Sequence, residues 1–513
     1  MLLQLRIALV GRCSDRRRGL AMVILSADDR VRQVHVVLVP SPSKGHTIPF
    51  MILTKQLVRC GVRVTFVSSE KHIASLELAK ENQEKVQCGM DMVRFVGLRG
   101  GPASFAEAIE EAGDRTMAAM LTEWMTMAMA KASREEHSNG VGEVSTLGDG
   151  RSAAPCCIIS DMFGGWTHAV AKKFAIPSHV FFTSAASCAA MQLTIPKFLA
   201  DGILPLPTST ASGSVSVPGI PPLDLHDLPS YLLEEESSIK FKFYMRHILQ
   251  LSEVTCILVN SFYDLEKSVF DSVNAEIQNS TLKIQSFVPI GPLLAVEDQT
   301  RAEDRHPAEI WLDTQNESSV IYAAFGTGVF FTDEQIHELA HGLEASEQPF
   351  ILVLQLSETN NGTECSFLPA FEERTRERGV VLTDWVPQVR ILNHPAVGAF
   401  MTHCGWNSSL ECIAAGVPML AWPMMAEQKM NCRFLVDTAK LAIEVPKGED
   451  RFVERAELES IVRLMMQESL GREIRARAKT MSDLAHRAVA PGGSSSKGME
   501  FFLKKLITSS YAN

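Results

Sequence analysis

No stretch of 18 consecutive apolar residues occurs in the 513-residue chain, so the sequence holds no candidate transmembrane helix. Basic residues are not in excess: 49 Lys and Arg stand against 60 Asp and Glu, a formal net charge of −11, and the electrostatic footprint of a nucleic-acid binder is missing. The 11 cysteines are scattered without the spacing of a disulfide framework and are expected to be reduced. No Cys/His cluster has ligand spacing, and the adjacent Cys156 and Cys157 would point to opposite faces of a strand, which reads as core packing rather than zinc. No GxGxxG follows the first apolar run; that loop reads PSPSKGH, which discounts a nicotinamide-dependent oxidoreductase of the doubly wound kind. What is present is 46% hydrophobic and 21% charged residues, enough for two substantial cores and too ordered for general disorder.

The densest segment runs from Trp385 to Gln428. Val397 to Thr402 reads as a short apolar strand, His403 to Asn407 as a turn containing Gly405, Ser408 to Ala415 as a helix ended by Gly416, and Val417 to Trp422 as a second buried strand. A turn from strand into helix aims unpaired N–H groups and the positive end of the helix dipole at one spot, and Asn407 and Ser408 add side-chain donors there. That spot suits a phosphate. Glu411, three residues after Ser408, shares its helix face, where a carboxylate can accept from vicinal ribose hydroxyls. Trp385 and Gln388 flank Pro387 in a connection upstream, and an exposed indole there suits stacking on a planar base. The alternative is an ordinary core strand–turn–helix with packing tryptophans, and for Trp422 and Cys404 that is the preferred reading.

Near the start, Val34 to Val39 reads as a buried strand, PSPSKGH as a loop, Pro49 to Cys60 as a helix with proline in its first turn, and Val62 to Val67 as the next strand. His46 stands at the handover from strand to helix, on the carboxyl edge of a parallel sheet. A positive helix end there favours neutral imidazole, the state of a general base, although a lone histidine of this kind more often serves capping or loop packing. Asp161 ends the apolar run from Cys156 to Ser160 and precedes a helical stretch from Gly164 to Phe174. It is either the N-cap of that helix or a partner for His46 on the same sheet edge.

The order W-x-P-Q, H-C-G-W-N-S-x-L-E, G-V-P, W-P and E-Q closely resembles the C-terminal signature of plant-type UDP-dependent glycosyltransferases, family 1 of the glycosyltransferases. The resemblance extends from about Val34 onward through SVIYAAFGTG, PGIPPLDLHDLPSYLL, VNSFYDLE, PIGPLL and AVAPGGSSS. It implies a GT-B fold: two α/β, Rossmann-like, doubly wound domains facing across a cleft. The expected division is an acceptor-binding domain over residues 34–290, a linker over 291–310, a UDP-sugar-binding domain over 311–490 and a segment over 491–513 that crosses back onto the first domain. By the same resemblance Trp385 stacks on uracil, Glu411 holds ribose, and His403, Asn407 and Ser408 hold the diphosphate. Trp406, Glu427 and Gln428 face the sugar hydroxyls, and Thr327, Val386, Gln388 and Gly405 complete the donor site. A terminal Gln in the signature implies UDP-glucose as co-substrate. The GHxxP context (Gly45, His46, Pro49) and the Ser160–Asp161 pair resolve the choice at the first edge in favour of a base and its acidic partner.

The chemistry so implied is a single displacement with inversion at the anomeric carbon, His46 taking the acceptor proton and Asp161 stabilising the imidazolium. No metal or other cofactor is expected, since no DxD pair sits beside the signature and neutral donors serve the diphosphate. The second partner is a small lipophilic acceptor, a phenolic, terpenoid or hormone, accepting at a hydroxyl or alternatively a carboxyl, with Phe181, Phe182 and Met191 as candidate pocket residues and the Met-rich stretch Thr116 to Ala132 as either pocket or, more commonly for Met at helical spacing, core. A nucleotide-sugar-binding protein without turnover is the alternative. The chain is expected to be a cytoplasmic monomer with no integral membrane segment. Residues 1–33 are expected to be a disordered extension: Arg6 interrupts the apolar start and Arg16, Arg17 and Arg18 follow it, the wrong order for a secretory signal, and the chain from Met22 looks more like the family. Departures from the family pattern are Thr327 in place of Ser, Leu352 and Gln355 in place of Trp and Arg, and a loop, LPAFEERT, one residue shorter than usual. Polar insertions at Ser133 to Ala154 and Thr208 to Ser216 are expected to be loops, and the T-D-E-Q at Thr332 a capping box.

Overall fold

A computed structural model describes residues 34–81, 92–110, 114–138, 153–206, 213–295, 305–355, 367–446 and 452–510. The extension 1–33, most of the first polar insertion and residues 296–304 of the expected linker lie outside them.

Two parallel sheets dominate. The first contains β1 (His35–Val39), β2 (Arg63–Ser69), β3 (Val93–Leu98), β4 (Cys157–Asp161), β5 (Ser178–Phe182), β8 (Cys256–Val259) and β9 (Ser286–Pro289), in the order β3-β2-β1-β4-β5-β8-β9. A small antiparallel ribbon, β6 (Ser214–Val215) and β7 (Leu223–Asp224), stands apart from it. The second sheet contains β10 (Val320–Ala324), β11 (Phe350–Val353), β12 (Gly379–Leu382), β13 (Val397–Thr402), β14 (Met419–Ala421) and β15 (Ala442–Glu444), in the order β12-β11-β10-β13-β14-β15. Each sheet reverses its strand order once, between β1 and β4 and between β10 and β13. These are two doubly wound α/β units, the GT-B arrangement.

The central strands are buried along their whole length because helices cover both faces of a parallel sheet, which is why HVVLV and VGAFMT read as unbroken apolar runs. Successive residues still part company: Val36 and Leu38 join one buried cluster with Phe50, Leu53 and Phe66, whereas Val37 and Val39 join another with Leu121, Met125 and Ile158. The helix Ser494–Ser510 lays Met499, Phe502, Leu503 and Leu506 into the cluster of Val36 and Leu38, so the end of the chain packs on the first sheet. A further apolar cluster runs continuously from Phe182 and Val259 of the first unit to Tyr322, Phe400 and Trp406 of the second.

Several element bounds differ from the sequence reading for identifiable reasons. The helix Asp114–Ser138 runs on through Ser133, shortening the first polar insertion, and LPAFEERT is helix Leu368–Thr375. Thr332 caps the helix Asp333–Ala345 by accepting from the Gln335 N–H, but the Gln335 amide pairs with both backbone groups of Val453 instead of returning to Thr332. The box is therefore half made. The last helix starts at Ser494, two residues after Gly492, which has φ 80°.

Candidate active site

Strands β1 and β4 are neighbours, with Leu38 opposite Ile159 and Val39 opposite Ser160, and their connections leave the sheet edge in different directions. Such a reversal opens a crevice at the carboxyl ends of the strands. His46 stands in the first turn of the helix Lys44–Arg59 and Asp161 is the last residue of β4. The helix starts five residues before Pro49, so proline is an internal residue and not part of the opening turn.

Asp161 is fully buried, and its Oδ2 lies 2.6 Å from Nδ1 of His46, which is 18% exposed. The other oxygen, Oδ1, accepts from Ser41 Oγ at 2.8 Å and from the Phe163 N–H at 3.0 Å. The following helix, Trp166–Lys173, has Gly165 at its N-cap position, so Asp161 is not a helix cap. With Nδ1–H donated to the carboxylate, Nε2 is the nitrogen that can take a proton. Thr183 Oγ1 also lies 3.1 Å from Nδ1. Burial is the largest single influence on His46 and lowers its pKa, but the charge and hydrogen bond of Asp161, joined by the charge of Glu427, outweigh it, and the net shift is upward. The net shift is thus opposite in direction to the one expected from a helix end that favours neutral imidazole.

In the second unit the equivalent crevice lies between β10 and β13. Phe325 to Thr327 leave β10 and His403 to Gly405 leave β13, leading into the helix Trp406–Ala415, which ends at Gly416 in the left-handed conformation (φ 74°). Glycine is needed there because a Cβ raises the cost of positive φ. Cys404 itself has φ 64° and is fully buried, its carbonyl held by Asn431 Nδ2 at 3.0 Å. The His403 ring is bracketed by backbone: a Cβ on Gly326 or Gly405 would stand 2.8 or 2.3 Å from its Nε2. Burial lowers His403 to about 4, so it is a neutral imidazole. Its Nδ1 and the Oδ1 of Asn407 are buried without a hydrogen-bond partner.

Around this turn, Trp385 is 72% exposed, Val386 is half-buried and its carbonyl accepts the Gln388 N–H, and Thr327 is exposed at the mouth. The Gln388 amide donates to Ser408 Oγ at 3.0 Å and Glu411 Oε2 at 2.6 Å, while Tyr322 donates to its Oε1. Gln388 therefore orients Ser408 and Glu411. Gln428 is buried, and its Oε1 accepts the N–H groups of Met424 and Met425, which leaves its NH2 group to donate elsewhere. Ser184 Oγ reaches Glu427 across the two units at 3.3 Å.

Trp406 requires a correction. Its indole is 3% exposed and its single donor, Nε1–H, goes to the Asn260 carbonyl of the first unit at 2.7 Å, so the ring fastens the units together and does not face a sugar. Trp422 is core, packed edge-on against Phe325 at 5.5 Å, as the sequence reading preferred. Ser41, Thr183 and Asn431 were not singled out from sequence. Ser41 lies inside the same PSPSKGH loop as His46, which is the one signal that pointed to it.

Beside His46, Phe163 packs its ring 5.4 Å from the imidazole and forms one wall of an open cleft. Ser41, Pro42, Met117, Trp166 and Phe243 also line it, and Asp114, paired with Arg246 at 2.8 Å, supplies a charge at its edge. Of the Met-rich stretch, Met117 faces this cleft, Met125 is core and Met127 is exposed. Phe181, Phe182 and Met191 are fully buried in the core, where continuous strand and helix packing leaves them no open face. Among the described residues no group of three or more His, Cys, Asp or Glu gathers as a metal-ligand set, and no helix is long and apolar enough to cross a membrane.

Residues 35–449 match the family model described as "UDP-glucoronosyl and UDP-glucosyl transferase". UDP-glycosyltransferase 72B2 of Arabidopsis thaliana is 32% identical over 490 residues, which is 92% of this chain and 96% of that protein. Linamarin synthase 1 of Manihot esculenta is 31% identical over 493 residues, 92% of this chain and 97% of that one. Among solved structures, UGT2 of Phytolacca americana, in complex with UDP-2fluoro-glucose and pterostilbene, superposes with a TM-score of 0.73 at 26% identity, covering 92% of this chain and 99% of that one. Two doubly wound sheets with their reversal points joined across one interface, and this extent of likeness to enzymes of a single kind, make the chain a member of the UDP-glycosyltransferase family.

Proposed function

We propose that the protein transfers glucose from UDP-glucose, with inversion, to a hydroxyl of a small lipophilic acceptor such as a phenolic, a terpenoid or a hormone. The observation that carries this reading is the His46–Asp161 pair at 2.6 Å beside an aromatic-walled cleft, opposite a helix-start turn built of neutral donors. The acceptor hydroxyl enters past Phe163 and gives its proton to His46 Nε2 as its oxygen bonds to the anomeric carbon. The bond from that carbon to the phosphate oxygen breaks, and UDP leaves with the electron pair. Asp161 holds the imidazole in the required tautomer and stabilises the imidazolium. Trp385 stacks on uracil, Glu411, oriented by Gln388, takes the ribose hydroxyls, and His403, Asn407, Ser408 and Thr327 with the backbone of Gly405 surround the diphosphate. Glu427 and the Gln428 NH2 group meet the sugar.

The charge developing on UDP is met by donors fixed before the reaction begins, which is what makes such groups effective. No metal enters the reading. Incubation with UDP-glucose and a panel of phenolic and terpenoid alcohols in excess chelator, with the glycoside identified by mass and its anomer by NMR, tests it. A β-glucoside formed in chelator supports every part. Retention, or a strict need for a divalent ion, would overturn the corresponding part.

A further inference from the structure

The helix Lys44–Arg59 carries Pro49 in its interior. In a regular helix residue 49 donates to the carbonyl of residue 45, and proline has no N–H to give. The Gly45 carbonyl, next to His46, is thus released from its helical bond. It is occupied from the other unit: Asn407 Nδ2 donates to it at 2.7 Å across 362 positions of sequence. The amide orientation is fixed by chemistry, since turning it would set Oδ1 against the carbonyl oxygen. Nothing stands within 4 Å of where a Gly45 Cβ would lie, so this stretch of backbone is approachable.

Other bonds across the interface, Trp406 to Asn260 and Ser230 to Ala426, fasten the units at a distance from this helix in sequence. The Asn407 bond is different in kind. It ties the turn that faces the diphosphate to the residue adjoining the base.

We propose that Asn407 is a positioning residue, which registers the His46 helix against the donor turn through the Gly45 carbonyl that Pro49 leaves unpaired. This rests on the transferase reading, but its test has a part that does not. If the bond holds the first helical turn, losing it frees the amides of His46 and Thr47, both of which are bonded to the Ser43 carbonyl. It also lets the base drift from the anomeric carbon, where an error of about 1 Å can cost on the order of 10²-fold in rate. Restoring an N–H at position 49 gives Gly45 an intrahelical partner and makes Asn407 redundant for helix order, while leaving any diphosphate contact of Asn407 untouched.

The experiment compares Asn407→Ala, Pro49→Ala and the double variant with the parent, by amide hydrogen exchange over residues 44–50 and by kcat and UDP affinity. Pro49→Ser serves in place of Pro49→Ala if the alanine variant does not fold. Asn407→Ala is expected to speed exchange of the helix start several-fold and to lower kcat about 10- to 100-fold. In the Pro49→Ala background the same change should leave exchange at the Pro49→Ala level and cost kcat less than half as much on a logarithmic scale. Any loss of UDP affinity should be equal in both backgrounds. Exchange unaltered by Asn407→Ala, or effects of the two substitutions that simply multiply, would overturn the proposal. A parent without turnover would count against the transferase reading alone, because the exchange result still decides the bridge.

Discussion

At the β1/β4 crevice a histidine meets a buried carboxylate; at the β10/β13 crevice a histidine is bracketed by two glycines. Both occupy the reversal point of a doubly wound sheet, and both are withdrawn from water. His46 is nevertheless raised, because Asp161 and Glu427 outweigh its desolvation, whereas His403 falls to about 4, with burial as the whole cause. On the proposed reading, the same side chain on the same scaffold serves as a proton acceptor in one half and as a neutral donor in the other. What differs is the partner: a carboxylate stabilises imidazolium, while a glycine-walled pocket gives it no counter-charge.

The largest expected effect breaks the pair at the first crevice. His46→Ala should lower kcat by about 10²- to 10⁴-fold, measured as glycoside formed under saturating substrates. A loss under 10-fold would remove the base from the account.

Asp161→Asn should cost on the order of 10²-fold or more: the charge is lost, and the one remaining oxygen is claimed by Ser41 and the Phe163 N–H, which turns the NH2 group toward Nδ1 and favours the wrong tautomer. Its effect also shows in the pH profile. A base must be deprotonated, so activity declines as pH falls through the His46 pKa, which Asp161 and Glu427 raise. Removing either charge should move the acid limb of kcat/KM to lower pH, and Glu427→Gln should do so by less than Asp161→Asn. A limb moving to higher pH would contradict the assignment. His403→Ala should weaken UDP binding without moving that limb.

Trp385→Ala should raise KM for the UDP-sugar about 10-fold or more, in keeping with roughly 1–3 kcal/mol per stacked base. Its 72% exposure predicts an unchanged Tm. Trp406→Phe is the smallest expected effect and the opposite kind. It removes the N–H held by Asn260 while keeping most of the buried ring, so stability should drop by about 1 kcal/mol in a denaturant titration, with UDP affinity retained. A large loss of UDP affinity would return Trp406 to the donor site.

Much of this was legible in the sequence because parallel strands buried on both faces are written as unbroken apolar runs and their handovers to helix fall at glycine, histidine or aspartate. The strand Val397–Thr402, the cap Gly416 and the exposure of Trp385 follow from such local rules. The meeting of His46 and Asp161 does not, since nothing local brings residues 115 apart to one edge; strand order does. Trp406 was misplaced for a related reason: an indole near a ligand turn looks the same in sequence whether its N–H faces a sugar or the Asn260 carbonyl. Gln388 orients Glu411 through a bond 23 positions long, and Ser41 supports Asp161 across 120, both invisible to periodicity. Proline favours the opening of a helix, so local rules place Pro49 there, whereas it lies inside the helix and the Gly45 carbonyl it leaves without an N–H accepts from Asn407 of the other unit.

The measurement that bears most directly on this division of labour is calorimetric titration of His46→Ala with UDP-glucose in excess chelator. Parent-like affinity, with the sugar nucleotide recovered intact, is expected if the second unit alone holds the donor, as proposed. Affinity lost together with turnover would contradict that proposal, since proton chemistry and donor binding would then not reside in separate halves.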